Sequence, residues 1–256
     1  MTTDALARFR WLQGQARPLD EIYTVLFVRE RDPGEVLRRF GCGEEKEMSF
    51  AELDVEVSDF LVGTDGGDGG GYVGVVAAGD WCLAVEPMGW SAVMDERLIR
   101  LSVGSEVVAV TRHEYADDHF AYAVDGSVVT TFELLTPDAR YGADKDRLDP
   151  LMREVGLPPD ATESDDEWEA RYDDLAPNAL ARAFALAERL TGVTFTAGVL
   201  DGPLLVGPIA DAHLHGPARL STQRSVTLAE LVDKHLQAGG VAVAGIDRVG
   251  DGSCGS

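Results

Sequence analysis

Cysteine is scarce: Cys42, Cys82 and Cys254 are the only three in 256 residues. An odd count in so long a chain provides no disulfide framework of the kind that holds small secreted domains together. Cys82 falls inside an apolar run and reads as a core residue, with no histidine near it in sequence to activate a thiol. Long apolar runs are lacking too. No stretch approaches the roughly 20 residues of a membrane-spanning helix, and the opening MTTDALARFRWLQGQ has no apolar core for a signal peptide. Basic residues are few. Against 45 Asp and Glu there are 22 Lys and Arg, a net charge of -23, so the surface repels nucleic-acid phosphates and anionic lipid. These absences point to a cytoplasmic protein that binds neither nucleic acid nor membrane. The same charge attracts cations and basic proteins, although a proteome rich in acidic residues, alanine and glycine would produce it with no partner at all.

What is present is ordinary globular composition, 45% hydrophobic and 26% charged. Residues 4–13 carry Ala5, Phe9 and Leu12 at helical spacing. The run IYTVLFVRE (22–30) is equally compatible with a strand and a buried helix. DPGEVLRRFG is clearer: Asp32 can cap, Pro33 occupies the first helical position and Gly41 follows the last apolar residue. The acidic stretch that follows, including the glycine run 63–71, reads as a loop. YVGVVAA (72–78) and WCLAVEP (81–87) form a hairpin about Gly79-Asp80, and 95–104 a helix. Residues 106–115, 119–124 and 127–135 form a meander closed by Asp125-Gly126. On that pairing Phe120, Tyr122 and Val124 share one face, and Val128, Thr130 and Phe132 share one face of the neighbour. Helices are expected over 146–156 and 176–192. Strands followed by helices imply an α+β class with a mostly antiparallel sheet and flanking helices. Residues 1–198 are expected to form this domain. Residues 199–256 read as a loop-rich extension: a linker, one docking helix near 227–237 and a tail dispensable for folding.

Acidic residues concentrate in 41–70 (9 acidic, 1 basic) and 161–190 (8 acidic, 3 basic), and both segments read as solvated connections. Adjacent acids such as Asp165-Asp166 diverge on any regular element and do not make an acid/base couple. No GxSxG, HExxH or CxxC occurs. The glycine run lacks the preceding strand, following helix and lysine of a phosphate loop.

DAHLHG (211–216) resembles the Asp-x-His-x-His opening of the amidohydrolase superfamily, since His213 and His215 would share one face of a strand. That superfamily needs an eight-stranded α/β barrel with later ligands on later strands. Only 41 residues follow His215, with one further histidine, His235. The neighbours of Asp211, His213 and His215 are small or apolar and offer no supporting shell. His213 and His215 are therefore rejected as metal ligands, and no cofactor is expected.

WCLAVEPMGW (81–90) frames Glu86 between Trp81 and Trp90. With His113, at the end of a later strand, these residues are the candidate ligand-binding set. The competing reading has the tryptophans covering the end of a sheet. No catalytic set assembles: His113 and Glu114 point to opposite faces.

VLFVRERDPGEVLRRFG, WCLAVEPMGW, AYAVDGSVVTTFELLTPDARYGADKDRLDPLMREVGL and ALARAFALAERLTGV, in this order, resemble a family of uncharacterised proteins of streptomycetes and related actinobacteria. The resemblance covers roughly residues 11–193. It implies a single-domain cytoplasmic protein and brings no reaction, cofactor or catalytic residue. The leading expectation is a non-enzymatic acidic module that binds a protein, of immunity or inhibitor type if the partner is basic. The alternative is a small-molecule-binding protein or enzyme with a cleft near Glu86, His113, Trp81 and Trp90.

Overall fold

A computed structural model describes residues 3–13, 19, 22–30, 32–64, 69–114 and 117–209. All of them lie in one compact unit, Met1–Gly216; a second unit, Pro217–Ser256, is outside the described residues. DAHLHG and the helix expected near 227–237 are therefore outside them as well.

Among the described residues eight strands form one sheet: β1 (Ile22–Val28), β2 (Lys46–Met48), β3 (Tyr72–Ala78), β4 (Trp81–Pro87), β5 (Glu106–His113), β6 (His119–Val124), β7 (Ser127–Glu133) and β8 (Leu204–Pro208). Their order across the sheet is β2-β8-β3-β4-β1-β5-β6-β7, and every neighbouring pair is antiparallel. The class is α+β. β1 lies in the interior of the sheet and all seven of its residues are buried. A strand covered on both faces needs no polar alternation, which is why its sequence resembles a buried helix.

Alternation of side chains divides the core into two layers. Tyr23, Val25 and Phe27 of β1 pack with the N-terminal 3₁₀ helix (Thr3–Gln13) and with helices later in the chain, through Phe9, Met152 and Phe184. Leu26 and Val28 face the other way, onto α1 (Pro33–Phe40) and α3 (Asp95–Ser102) through Leu37, Phe40, Leu98 and Leu101. The first layer is completed by α4 (Asp149–Val155) and α6 (Ala179–Thr191). The α1 termini follow local chemistry. Asp32 Oδ1 accepts from Gly34 N at 3.0 Å, and Gly41 closes the helix in the left-handed conformation.

Three expectations are corrected. The acidic stretch after Gly41 is not a loop: it contains β2 and α2 (Phe50–Gly63). Ser49 Oγ accepts from Glu52 N at 3.3 Å while Glu52 Oε2 accepts from Ser49 N at 2.8 Å, a complete capping box. The second acidic segment is likewise helical, as α5 (Asp165–Leu175), with Ser164 Oγ accepting from Glu167 N. Lastly, residues 204–208, expected in the linker beyond a boundary at 198/199, are β8, paired between β2 and β3. Leu204 and Val206 are buried against Leu53 and Val57 of α2. The flanking glycine and proline disguised a five-residue strand whose two edges are both occupied.

The β6–β7 hairpin turns at Asp125 (φ 47°) and Gly126 (φ 74°), the paired positive φ values of a type I′ turn. The register shifts between Tyr122 and Ala123, which pair with Thr130 and Val128, leaving Val129 as an extra residue. Val128 consequently packs with the α1/α3 layer while Phe132 lies in the other, so Val128, Thr130 and Phe132 do not share a face. Gly126→Val should destabilise by about 1–2 kcal/mol, because a β-branched residue is strained at positive φ. A urea midpoint equivalent to a change of less than about 0.5 kcal/mol would show that the turn tolerates a side chain.

Candidate functional site

Strand register brings three of the four candidate ligand residues to one end of the α1/α3 layer. Thr24 pairs with Glu86 on one side and Thr111 on the other, and Ile22 pairs with His113. Thr24, Glu86, Thr111 and His113 thus share a face and an end of the sheet. Trp90, on the turn after β4, closes over them with its ring 5.3 Å from that of His113 at 60°. Trp81 does not join them. It lies five residues from Glu86 along β4, roughly 17 Å away, and packs in the opposite layer with Leu83 and Val85. Its odd position in the strand sends it to the other face.

The cluster is closed. Glu86 is 1% exposed, with Oε1 accepting from Ser91 N at 3.1 Å and Oε2 from Ala92 N at 3.0 Å. The carboxylate therefore caps the short 3₁₀ turn Ser91–Val93. The chain must pass close to it: a Cβ on Gly89 would fall 2.4 Å from Glu86 Cγ. Burial raises the Glu86 carboxyl above its ordinary 4.5, opposed by the hydrogen bonds from Ser91 and Ala92 and by the charge of Arg97. Arg97 is itself buried and donates to Phe40 O at 3.2 Å. Thr24 Oγ1 donates to Gly89 O at 3.0 Å and stands 2.9 Å from Thr111 Oγ1. A hydroxyl has one proton, so Thr111 donates to Thr24. Glu86 and Thr24 hold the turn after β4 against the sheet, and Thr111 supports Thr24.

Beside this cluster an open cleft of about 350 Å³ is lined by residues including Arg112, His113, Glu114, Asp118, Leu135 and Leu180. Asp118 Oδ1 accepts from the backbone N–H of His113 at 2.8 Å, and burial raises its carboxyl. Arg112 is already engaged, donating to Leu12 O at 3.3 Å and to Glu114 at 3.0 Å. His113 Nδ1 is buried with no hydrogen-bond partner among the described residues. A hydrogen bond joining its ring to a carboxylate, as a nucleophile-activating base requires, does not occur among them. Nor does any group of three or more His, Cys, Asp or Glu with metal-binding placement. No helix among the described residues is long and apolar enough to cross a membrane.

The second candidate surface is α5, which sequence reasoning treated as a solvated connection. Of its eleven residues only Leu175 is buried. Trp168, Tyr172 and Leu175 fall at i, i+4 and i+7, one stripe of a helix. The first two members of this stripe are left half-uncovered: Trp168 is 44% and Tyr172 40% exposed, their rings stacked at 5.5 Å. Arg171 turns to Asp138 at 3.5 Å, and Asp174 to Arg182 at 2.9 Å, which holds the Asp174 carboxyl below its ordinary range. Asp166, Glu169 and Asp173 are exposed and form no ion pair among the described residues. The signals for this surface were legible, in Ser164 three residues before Glu167 and in the Trp-Tyr spacing. The high acid content outweighed them.

An antiparallel sheet layered by helices on both faces, with a closed polar end and an acidic aromatic helix outside, defines an α+β protein. The chain belongs to the family of unknown function DUF6461, whose model matches residues 2–207. That span runs past 193 into β8 and agrees with the strand's place inside the sheet. No curated protein and no solved structure is similar to the chain.

Proposed function

We propose that this chain is a non-enzymatic module that binds a basic protein in the cytoplasm, as an immunity or inhibitor protein does. The observation that carries the reading is α5, where a half-uncovered aromatic stripe lies among exposed carboxylates on a chain of net charge -23. Exposed aromatics supply the anchors of protein interfaces, and charge complementarity raises association rates and selects partners. The test is recovery of the partner under native conditions, then its identification and association kinetics. The partner is expected to be basic, with an association rate that falls steeply as salt is added. Recovery of metabolites alone, or association indifferent to salt, would remove the reading.

A second reading, small-molecule binding, draws on the 350 Å³ cleft beside His113. It predicts a co-purifying metabolite whose removal lowers the thermal midpoint.

A further inference from the structure

We propose that the outer stripe of α5 seats an arginine-bearing segment of the partner, with a guanidinium stacked on the Trp168–Tyr172 pair and bonded by Glu169 and Asp173. This rests on the binding-module reading above and adds the surface and the chemistry that fits it. Three features converge on α5. The stripe is laid out for burial yet only Leu175 is fully buried, so apolar area on Trp168 and Tyr172 is left for another molecule to complete. Its partly uncovered members are an indole and a phenol stacked on one another, which leaves an outer π face on each ring. One flank carries Glu169 and Asp173, one helical turn apart, exposed and without an ion pair among the described residues.

Arginine suits this arrangement better than lysine. Its planar guanidinium lies flat on an aromatic face while its edge N–H groups bond carboxylates, whereas an ammonium is a compact, strongly hydrated charge. The fold uses the same contact internally, with Arg97 over Phe40 at 5.9 Å and Arg147 over Tyr122 at 5.7 Å. A second copy of the chain is a poor occupant. It would bring six acids and one arginine in the matching helix, and like charges repel. Nucleic acid is excluded by the same sign of charge.

The test is calorimetric titration of the full chain with two synthetic peptides, one alternating leucine with arginine and the other leucine with lysine. The arginine peptide should bind about tenfold more tightly than the lysine peptide. Trp168→Ala/Tyr172→Ala should weaken it by about tenfold or more and erase the preference. Both side chains are only partly buried, so this variant should keep its fold, checked by circular dichroism, with at most a modest fall in thermal midpoint. Asp54→Asn/Glu56→Gln on α2 removes two charges elsewhere and should change the affinity less than about threefold. Salt-dependent binding of the arginine peptide that ignores the aromatic variant would overturn the assignment to α5 and leave the charge reading standing. Equal affinity for the two peptides would overturn the choice of arginine. Failure of both peptides to bind even at low salt would remove the assignment and the reading beneath it.

Discussion

A chain ending at residue 199 is expected to show no cooperative thermal transition. β8 lies inside the sheet, bonded to β2 at Leu204–Val206 and to β3 at Leu205–Pro208. Removing it leaves the backbone groups of Tyr72–Val75 without their ladder to β8 and detaches β2 from the sheet, because β8 is the only strand β2 pairs with among the described residues. It also uncovers Leu53, Val57 and Met48, which close on Leu204 and Val206. Ile209, 5% exposed and donating its N–H to Gly71 O at 2.8 Å, extends the same attachment. A point substitution reads the effect within the intact chain. Leu204 is fully buried, and Leu204→Ala should cost about 3 kcal/mol. Leu205→Ala, on the opposite and less buried face, should cost clearly less. A truncated chain that melts sharply from a native circular-dichroism spectrum would show that the sheet closes without β8.

Glu86→Ala is expected to be of similar severity, about 3 kcal/mol. It leaves the buried N–H groups of Ser91 and Ala92 without acceptors, each such loss amounting to about 1–3 kcal/mol. It also removes the carboxylate whose field Arg97 shares. The pH dependence separates the charge from the hydrogen bonds. Burial raises the carboxyl's pKa above 4.5, so the folded state holds the proton more tightly than the unfolded chain does. The stability this contributes is complete below 4.5 and is lost as pH rises through the folded-state value. Glu86→Gln does not titrate. The thermal midpoint of the wild type should therefore fall relative to that of Glu86→Gln as pH rises from 4.5 toward neutrality. A constant difference, or one that moves the other way, would mean that folding does not desolvate this carboxyl. The two expected losses concern opposite parts of β4's neighbourhood: β8 secures the sheet two strands away, and Glu86 secures the turn that leaves β4.

The identity of elements was readable wherever a local cause was sufficient. Asp32, Pro33 and Gly41 bracket α1 because capping, a preset φ and a left-handed stop act within one helix. Asp125-Gly126 defines its hairpin because a two-residue loop needs a type I′ or II′ turn, and Asp-Gly is a pair that accepts the two positive φ values of type I′. The acidic composition was equally plain, and so was the aromatic spacing in α5, although its charges concealed the helix. Tertiary structure decided what depends on neighbours distant in sequence. β8 is a strand because β2 and β3 offer it two open edges and α2 covers Leu204; five residues with glycine and proline carry no such information themselves. Trp81 is parted from Glu86, Trp90 and His113 by the register of β4 against β1, which sends odd positions to one layer and even positions to the other. Val129 moves Val128 to the opposite face because the extra residue is absorbed only in pairing with β6. Capping and turn chemistry act over three or four residues and are written locally; burial, register and the completion of edges are properties of the assembled sheet.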